Sequence, residues 1–335
     1  MGEALSGVGV YSREILLGLA AAHPGTRFDF CYRAHRYLRA WREQLPANVR
    51  RGLLAEPWGP RRASLFHGLN QRLPRIPMHR AVATFHDLFV MTGEYSTAEF
   101  RARFQEQAQD AAARADAVIA VSEFTRRQVI GLLDKDPAHV HVVHHGIRPL
   151  TVAEDSGHRR EKVILNVGAI QKRKNIARLV EAFEGGAPEW HLVLAGSQGY
   201  GAEEAMERIE RSPARERIRV TGYVPAAELA GWYARASVFA FPSLDEGFGM
   251  PVLEAMAAGV PVVTSNRSAL PEVAGDAAML VNPEDTDALR QALVDLTGSP
   301  DLAGELAGRG RTRARMFTWE KAVRETWDVY RTLLG

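Results

Sequence analysis

Two glutamates eight positions apart, Glu246 and Glu254, bracket the run Glu246-Gly-Phe-Gly-Met-Pro-Val-Leu-Glu254, which continues as Ala-Met-Ala-Ala-Gly-Val-Pro261. Glycines at 247 and 249 let backbone amides come close to a ligand. Pro251 suits the first position of a helix, and Gly259 followed by Pro261 suits its end. An apolar run ending at Phe241 predicts a strand before the loop. The helix N-terminus then falls at the carboxyl edge of a parallel sheet, where open α/β sheets bind ligands. Exposed N–H groups and the helix dipole suit a diphosphate there. Glu254, predicted in the first helical turn, is placed to accept hydrogen bonds from paired sugar hydroxyls. Glutamates eight apart are common by chance, so the surrounding context gives the spacing its meaning.

The elements that must position these residues alternate. Strand patterns occupy 27–32, 64–67, 81–85, 117–121 and 140–143, with helical patterns over 9–22, 97–113 and 123–133, the last capped by Ser122. Residues 148–160 are polar and weakly patterned, which predicts a hinge. Alternation then restarts, with strands over 163–167, 191–195, 217–221, 238–241, 262–264 and 278–281. Helices are predicted over 175–183, 226–234, 251–258, 285–297 and 319–334. Short strands alternating with longer helices predict parallel sheets. The simplest architecture is two Rossmann-like domains, 1–147 and 161–318, joined by the hinge and followed by a helix over 319–335. A doubly wound domain should open with a strand, yet only Met1–Leu5 precede Ser6-Gly7-Val8-Gly9. The first domain is therefore expected to lack its first strand, through truncation or a misplaced start.

Bulk properties narrow the class. A chain of 335 residues suggests about two domains. Hydrophobic content of 46% with 24% charge excludes a largely disordered protein. No apolar run approaches the roughly 20 residues of a membrane helix, and the N-terminus lacks a secretory pattern. The single cysteine, Cys31, forms no internal disulfide and fits the reducing cytoplasm. With no tight His, Asp and Glu cluster, no metal is expected. A net charge of +2 hides an asymmetry: residues 25–80 hold twelve arginines against Asp29, Glu43 and Glu56, or +9. Such a face suits an anionic partner. No nucleic-acid module accompanies it, so nucleic acid is not expected. Peripheral contact with the anionic inner face of the plasma membrane fits, as does a diphosphate-bearing acceptor or a merely solvated face.

The stretch from Glu246 to Pro261 resembles the Glu-x7-Glu motif of the family-4 retaining glycosyltransferases, and the resemblance runs in order along nearly the whole chain. It implies the GT-B fold: an α/β architecture of two facing Rossmann-like domains, with the donor site in the interdomain crevice and a final helix returning to the N-terminal domain. Glu246 would contact the donor sugar and Glu254 the ribose, while backbone of Gly247, Phe248, Gly249 and Met250 would meet sugar and diphosphate. Val167-Gly168-Ala169-Ile-Gln-Lys-Arg173-Lys174-Asn175 looks like the basic loop whose Arg-Lys pair neutralises the leaving diphosphate. Many members carry an arginine where this chain has Ala169. Thr221-Gly-Tyr-Val224-Pro225 resembles the loop that grips the base through its backbone, and Gly196 lies in a second loop of the same crevice. His86, in Ala83-Thr-Phe-His-Asp87, matches a strand-end histidine near donor sugar and acceptor. His67 is a second acceptor-side candidate, and His144 and His145 match the end of the N-terminal domain. Ser6-Gly7-Val8-Gly9-Val10-Tyr11 resembles a glycine loop whose backbone approaches the donor phosphate.

His86, Glu246, Arg173 and Lys174 are thus the expected catalytic residues. The implied activity is transfer of a hexose from a nucleotide-diphosphate sugar to a saccharide or lipid-linked saccharide. Configuration would be retained, with no metal and no cofactor beyond the donor substrate. The Arg-Lys-Asn loop and the Glu-Gly-Phe-Gly-Met-Pro run look most like bacterial mannosyltransferases of surface-polysaccharide synthesis. GDP-mannose is therefore the first expectation and UDP-glucose or another hexose nucleotide the second. Two other readings fit the same scaffold: a nucleotide-sugar epimerase, which would turn over donor without acceptor, and a non-catalytic nucleotide-sugar-binding subunit. A NAD-dependent enzyme is disfavoured, because no strand–Gly-x-Gly-x-x-Gly–helix unit with a distal acid occurs.

Overall fold

The computed structural model describes residues 7–34, 37–38, 43–56, 63–147 and 160–335. The chain divides into two compact units, one holding the residues up to Leu88 with Glu99–Gly146 and Thr318–Gly335, the other Phe89–Ala98 with Ile147–Phe317. The predicted hinge lies outside the described residues except for Arg160, as do Ser6 and Arg36, Arg39, Arg42, Arg61 and Arg62 of the basic region.

In the first unit, β1 (Phe28–Arg33) and β2 (Val49–Leu54) form a two-stranded parallel sheet. β3 (Phe66–Gly68), β4 (Ala81–Phe85), β5 (Ala117–Ala120) and β6 (Val140–Val142) form a four-stranded parallel sheet in that order. β4 and β5 are buried at every position, which suits continuous apolar runs covered on both faces. Helix Glu123–Leu133 begins where Ser122, in extended backbone, accepts a hydrogen bond from the Thr125 amide at 3.0 Å. Helix Gly7–Ala22 starts earlier than its pattern predicts, because Tyr11, Ile15 and Leu19 share one buried stripe at helical spacing. Gly7 and Gly9 consequently lie in its first turn rather than in a loop before it, which corrects the reading of that segment. The last helix, Trp319–Leu334, is capped by Thr318 and packs on Gly7–Ala22. A Cβ on Gly18 would come within 2.4 Å of Val323 Cγ2, so glycine sets the close approach of these two helices.

The second unit is built on a six-stranded parallel sheet. Its strands are β7 (Glu161–Val167), β8 (His191–Ala195), β9 (Ile218–Gly222), β10 (Ala236–Phe241), β11 (Val262–Ser265) and β12 (Met279–Val281). Their spatial order is β12-β11-β10-β7-β8-β9, so chain progression reverses between β7 and β10. A doubly wound sheet opens a ligand crevice at that reversal, beyond the carboxyl ends of the strands. Ile164, Leu165, Val238 and Phe239 of the two central strands are fully buried. Helix Met250–Ala257 follows β10 and begins one residue before Pro251, because Gly249 makes the turn at φ +110°. Glu254 therefore opens the second helical turn rather than ending the first. Helices Ala202–Glu210 and Pro300–Ala314 had no clear sequence pattern: the buried stripe of the former is Ala202, Ala205 and Ile209, and the latter is diluted by Gly304, Gly308 and Gly310. Among the described residues, no helix is long and apolar enough to cross a membrane.

Candidate active site

The loops leaving β7 and β10 flank the reversal point, and backbone hydrogen bonds lock them together. Gly168 opens the β7 loop at φ +138°. Its amide donates to Ala195 O at 3.0 Å, and that of Ile170 donates to Ser197 O at 2.9 Å. A Cβ on Gly196 would fall 1.9 Å from Gly168 O, so this glycine is required by the approach of the β7 and β8 loops. A short turn over Lys172–Lys174 leads to Asn175, held left-handed at φ 58°. The Asn175 side-chain amide donates to Pro242 O at 3.1 Å and Pro283 O at 2.7 Å. The Leu244 amide donates to Arg173 O at 2.7 Å. Arg173 and Lys174 are thus fixed against the loop that carries Glu246.

Both cations converge on one carboxylate. Arg173 NH1 lies 2.8 Å and Lys174 Nζ 2.5 Å from Glu246 Oε1. Arg173 also donates to Asp245 O at 3.0 Å, and its guanidinium covers the Phe89 ring at 4.4 Å. The Lys174 ammonium sits 4.5 Å from the Phe241 ring centre. Its chain passes 3.5 Å from where a Cβ on Gly168 would stand. Lys174 and Glu246 are 7% and 8% exposed. Burial alone would raise the Glu246 pKa, but the Arg173 and Lys174 charges overcome it and hold the carboxyl at about 2. Two cations converge here, opposed by Glu246 and by the Asp245 carboxylate that neighbours Arg173, so an incoming anion would compete with these carboxylates for them. Beside it, the N-terminus of helix Met250–Ala257 has no side-chain cap at Gly249. The arrangement is suited to a diphosphate.

The loop between these groups is also fixed. Ser268 Oγ accepts from the Glu246 amide at 3.2 Å, Glu246 O accepts from Ala269 N at 3.2 Å, and buried Phe248 packs edge-on against Phe317. Asp245 accepts a hydrogen bond from Thr92 at 2.8 Å through Oδ2, while its buried Oδ1 has no hydrogen-bond partner among the described residues. Burial raises the Asp245 pKa against the opposing Thr92 bond. On the helix itself, Glu254 Oε2 accepts from the Tyr233 hydroxyl at 2.8 Å. Burial pushes the Glu254 carboxyl up, opposed by that one bond, and no cation among the described residues pairs with it. Val224 is half-buried in the loop after edge strand β9, following Gly222 at φ +71°.

The remaining candidates belong to the first unit. His86, at the end of β4, donates through Nε2 to Leu69 O at 2.9 Å, while Nδ1 faces His145 Nε2 at 3.4 Å. Tyr11 stands edge-on to both rings, at 4.7 and 5.0 Å. Burial lowers the His86 pKa to about 4, so the ring is neutral at ordinary pH. His67 bonds Thr84 through Nε2 and Tyr330 through Nδ1, which ties the last helix to β3 and β4. Gly7 and Gly9 begin the helix that carries Tyr11.

The structure therefore brings Gly168, Arg173, Lys174 and Glu246 into direct contact, with Gly247, Phe248, Gly249 and Met250 continuing into the Glu254 helix. Gly196 serves packing, and Val224 lies in a separate loop. Sequence reasoning missed Tyr233, Asp245, Thr92 and Phe89. Tyr233 reads as a core aromatic, and the other three gain meaning only through contacts distant in the chain.

Residues 161–299 match the family described as Glycosyl transferases group 1, and residues 5–149 match Glycosyltransferase Family 4. The chain is 29% identical to O-antigen chain mannosyltransferase B of Escherichia coli, across 98% of this chain and 97% of that protein. Its fold is similar to that of sucrose-phosphate synthase from Thermosynechococcus elongatus, with a TM-score of 0.75 at 21% identity, covering 98% and 94% of the two chains. Anabaena HepE in complex with UDP gives a TM-score of 0.75 at 15% identity, covering 99% and 98%. The reversed parallel sheet is that of the GT-B fold, and with both halves matched by glycosyltransferase models the chain belongs to glycosyltransferase family 4.

Proposed function

We propose that this glycosyltransferase moves a hexose, mannose from GDP-mannose in the first instance, onto a saccharide or lipid-linked saccharide, with retention of configuration and without a metal. The pairing of Arg173 and Lys174 on Glu246, beside a helix N-terminus with no side-chain cap, carries the reading. A diphosphate offers these cations the negative charge that Glu246 supplies in its absence. Its arrival would release Glu246 to accept hydrogen bonds from sugar hydroxyls. As the sugar–phosphate bond breaks, charge grows on the leaving phosphate, and fixed cations stabilise it without reorganisation. Glu254, half-buried with a single hydrogen bond, would supply an acceptor for ribose hydroxyls, and the loop at Val224 would take the base. His86, neutral and with its Nε2 proton committed to Leu69, would orient substrate rather than act as a general base. The likeness to an E. coli mannosyltransferase favours mannose, and that to a UDP-bound structure keeps UDP-linked hexoses second.

Calorimetric titration with GDP, UDP, ADP and dTDP, in the presence of a chelator, tests the reading. One nucleotide should bind wild type, and Lys174→Ala should weaken it about 10- to 100-fold, the loss of a charge-assisted bond worth about 1.5–3 kcal/mol. The matching nucleotide sugar should then donate to a saccharide acceptor with chelator present, and NMR of the product should show the donor's anomeric configuration. No binding to any nucleotide by folded protein would overturn the site. Donor turnover without acceptor would replace transfer with epimerisation.

A further inference from the structure

We propose that Tyr233 is a positioning residue for the nucleotide, which sets the Glu254 carboxylate so that one oxygen is reserved for ribose hydroxyls. The inference rests on the donor-site reading above and adds a residue to it. Tyr233 is fully buried, and its hydroxyl donates to Glu254 Oε2 at 2.8 Å, with a longer contact to Pro251 O at 3.4 Å. The hydroxyl thus spans the first and second turns of the helix that presents Glu254. Oε1 receives no hydrogen bond from any described protein group.

A carboxylate in this setting is costly to hold ionised. It is half-buried and lacks a cation among the described residues, whereas Glu246 has two. Desolvating a carboxylate is costly unless hydrogen bonds offset it, and here the Tyr233 hydroxyl supplies one. A single phenol donor is the smallest support that keeps the charge and fixes the rotamer while leaving one oxygen for a ligand.

The neighbouring structure holds the pair together. Tyr233 lies on helix Ala226–Arg235, and Glu254 on Met250–Ala257. The Arg160 guanidinium joins the carboxyl ends of both helices, donating to Tyr233 O at 3.4 Å and Ala236 O on one side, and to Ala258 O at 2.7 Å and Gly259 O at 2.9 Å on the other. One cation therefore satisfies the last carbonyls of both helices and stabilises two dipole ends. Phe239 packs on the Tyr233 ring at 5.8 Å. The hydroxyl has no freedom to follow Glu254 if the carboxylate turns, so it selects one orientation.

The test is calorimetric titration of the full chain with GDP and UDP and with their 2′,3′-dideoxy forms, on wild type, Tyr233→Phe, Glu254→Ala and the double variant. For whichever natural nucleotide binds, Tyr233→Phe should weaken binding about 5- to 30-fold. The same change should have no effect in the Glu254→Ala background or on the dideoxy nucleotide. Equal weakening of natural and dideoxy forms would show a structural role only and overturn the proposal. Unchanged binding in Tyr233→Phe, with Glu254→Ala impaired, would overturn it while leaving the donor site standing. Normal binding in Glu254→Ala would instead overturn the ribose reading itself. Should Tyr233→Phe fail to fold, 3,5-difluorotyrosine in place of Tyr233 keeps the shape with a stronger donor. Tighter binding of the natural nucleotide alone is then expected, and no change or an equal change for both forms overturns the proposal.

Discussion

Replacing Glu246 with glutamine separates the two tasks assigned to this side chain. The group is 8% exposed and shifted from 4.5 to about 2. At about 1.4 kcal/mol per unit, its charged form is favoured by roughly 3 kcal/mol in the folded protein. Glutamine keeps the size and one oxygen but removes that charge, leaving Arg173 and Lys174 with less counter-charge. Breaking a buried pair in this way costs about 3–5 kcal/mol. Glu246→Gln should therefore lower the unfolding free energy of the ligand-free protein by about 3 kcal/mol, read by urea denaturation. A nucleoside diphosphate restores the missing charge without displacing a carboxylate. GDP or UDP should bind Glu246→Gln about tenfold more tightly than wild type, equivalent to about 1.4 kcal/mol. Transfer from the nucleotide sugar should nonetheless fall 10- to 100-fold in kcat/KM, because charge-assisted bonds to sugar hydroxyls worth about 1.5–3 kcal/mol are lost. Affinity and activity move in opposite directions. Equal or weaker binding by the folded variant would refute the argument that Glu246 holds the place of the diphosphate.

Three further outcomes follow from the geometry. Gly196→Ala should lower unfolding free energy by about 1–3 kcal/mol and weaken nucleotide binding, since its Cβ meets Gly168 O and must push the loops apart; urea denaturation and calorimetry check this. Donor affinity should begin to fall above pH 4.5 as pH is lowered, because Glu254 is raised above its ordinary value by burial and gains a proton there. That proton favours the folded state, whereas Glu246, held at about 2, contributes stability that is complete above 4.5 and lost only toward pH 2. Titrations at successively lower pH should thus show binding weaken before the Glu246 contribution to stability is lost. Thr92→Val should destabilise by about 1–3 kcal/mol, because it removes the donor to the buried Asp245 carboxylate. Asp245 is raised by burial, so the effect should shrink as pH is lowered and the carboxyl gains a proton, read by denaturation across a pH series.

Much of this arrangement was legible where local signals suffice. Strands 81–85 and 191–195 are short apolar runs between clear breaks, helix Glu123–Leu133 carries its predicted serine cap, and the last helix follows its predicted span. The Glu246–Glu254 run announced both its loop and its helix through two glycines and a proline. Other elements had no such punctuation. β2 carries Arg50, Arg51 and Gly52 at its centre and pairs with a single neighbour. The resemblance reads Gly7–Gly9 as a glycine loop and the pattern starts the helix at Gly9, yet the buried stripe from Tyr11 to Leu19 carries the helix back to Gly7. What joins Tyr233 to Glu254, or Thr92 to Asp245, is tertiary and leaves no periodicity to detect.

The assignment of Phe89–Ala98 to the second unit bears on protein engineering. Exchanging halves between related enzymes, to pair a new donor with an old acceptor, would ordinarily cut the chain once between its domains. Such a cut here would leave Phe89 and Thr92 in the retained half, although they lie against Arg173 and Asp245 in the exchanged one. A workable chimera should carry residues 89–98 with the second unit as an embedded graft, and return 318–335 to the first. The unit of exchange is discontinuous in sequence, so recombination at single crossovers samples it poorly.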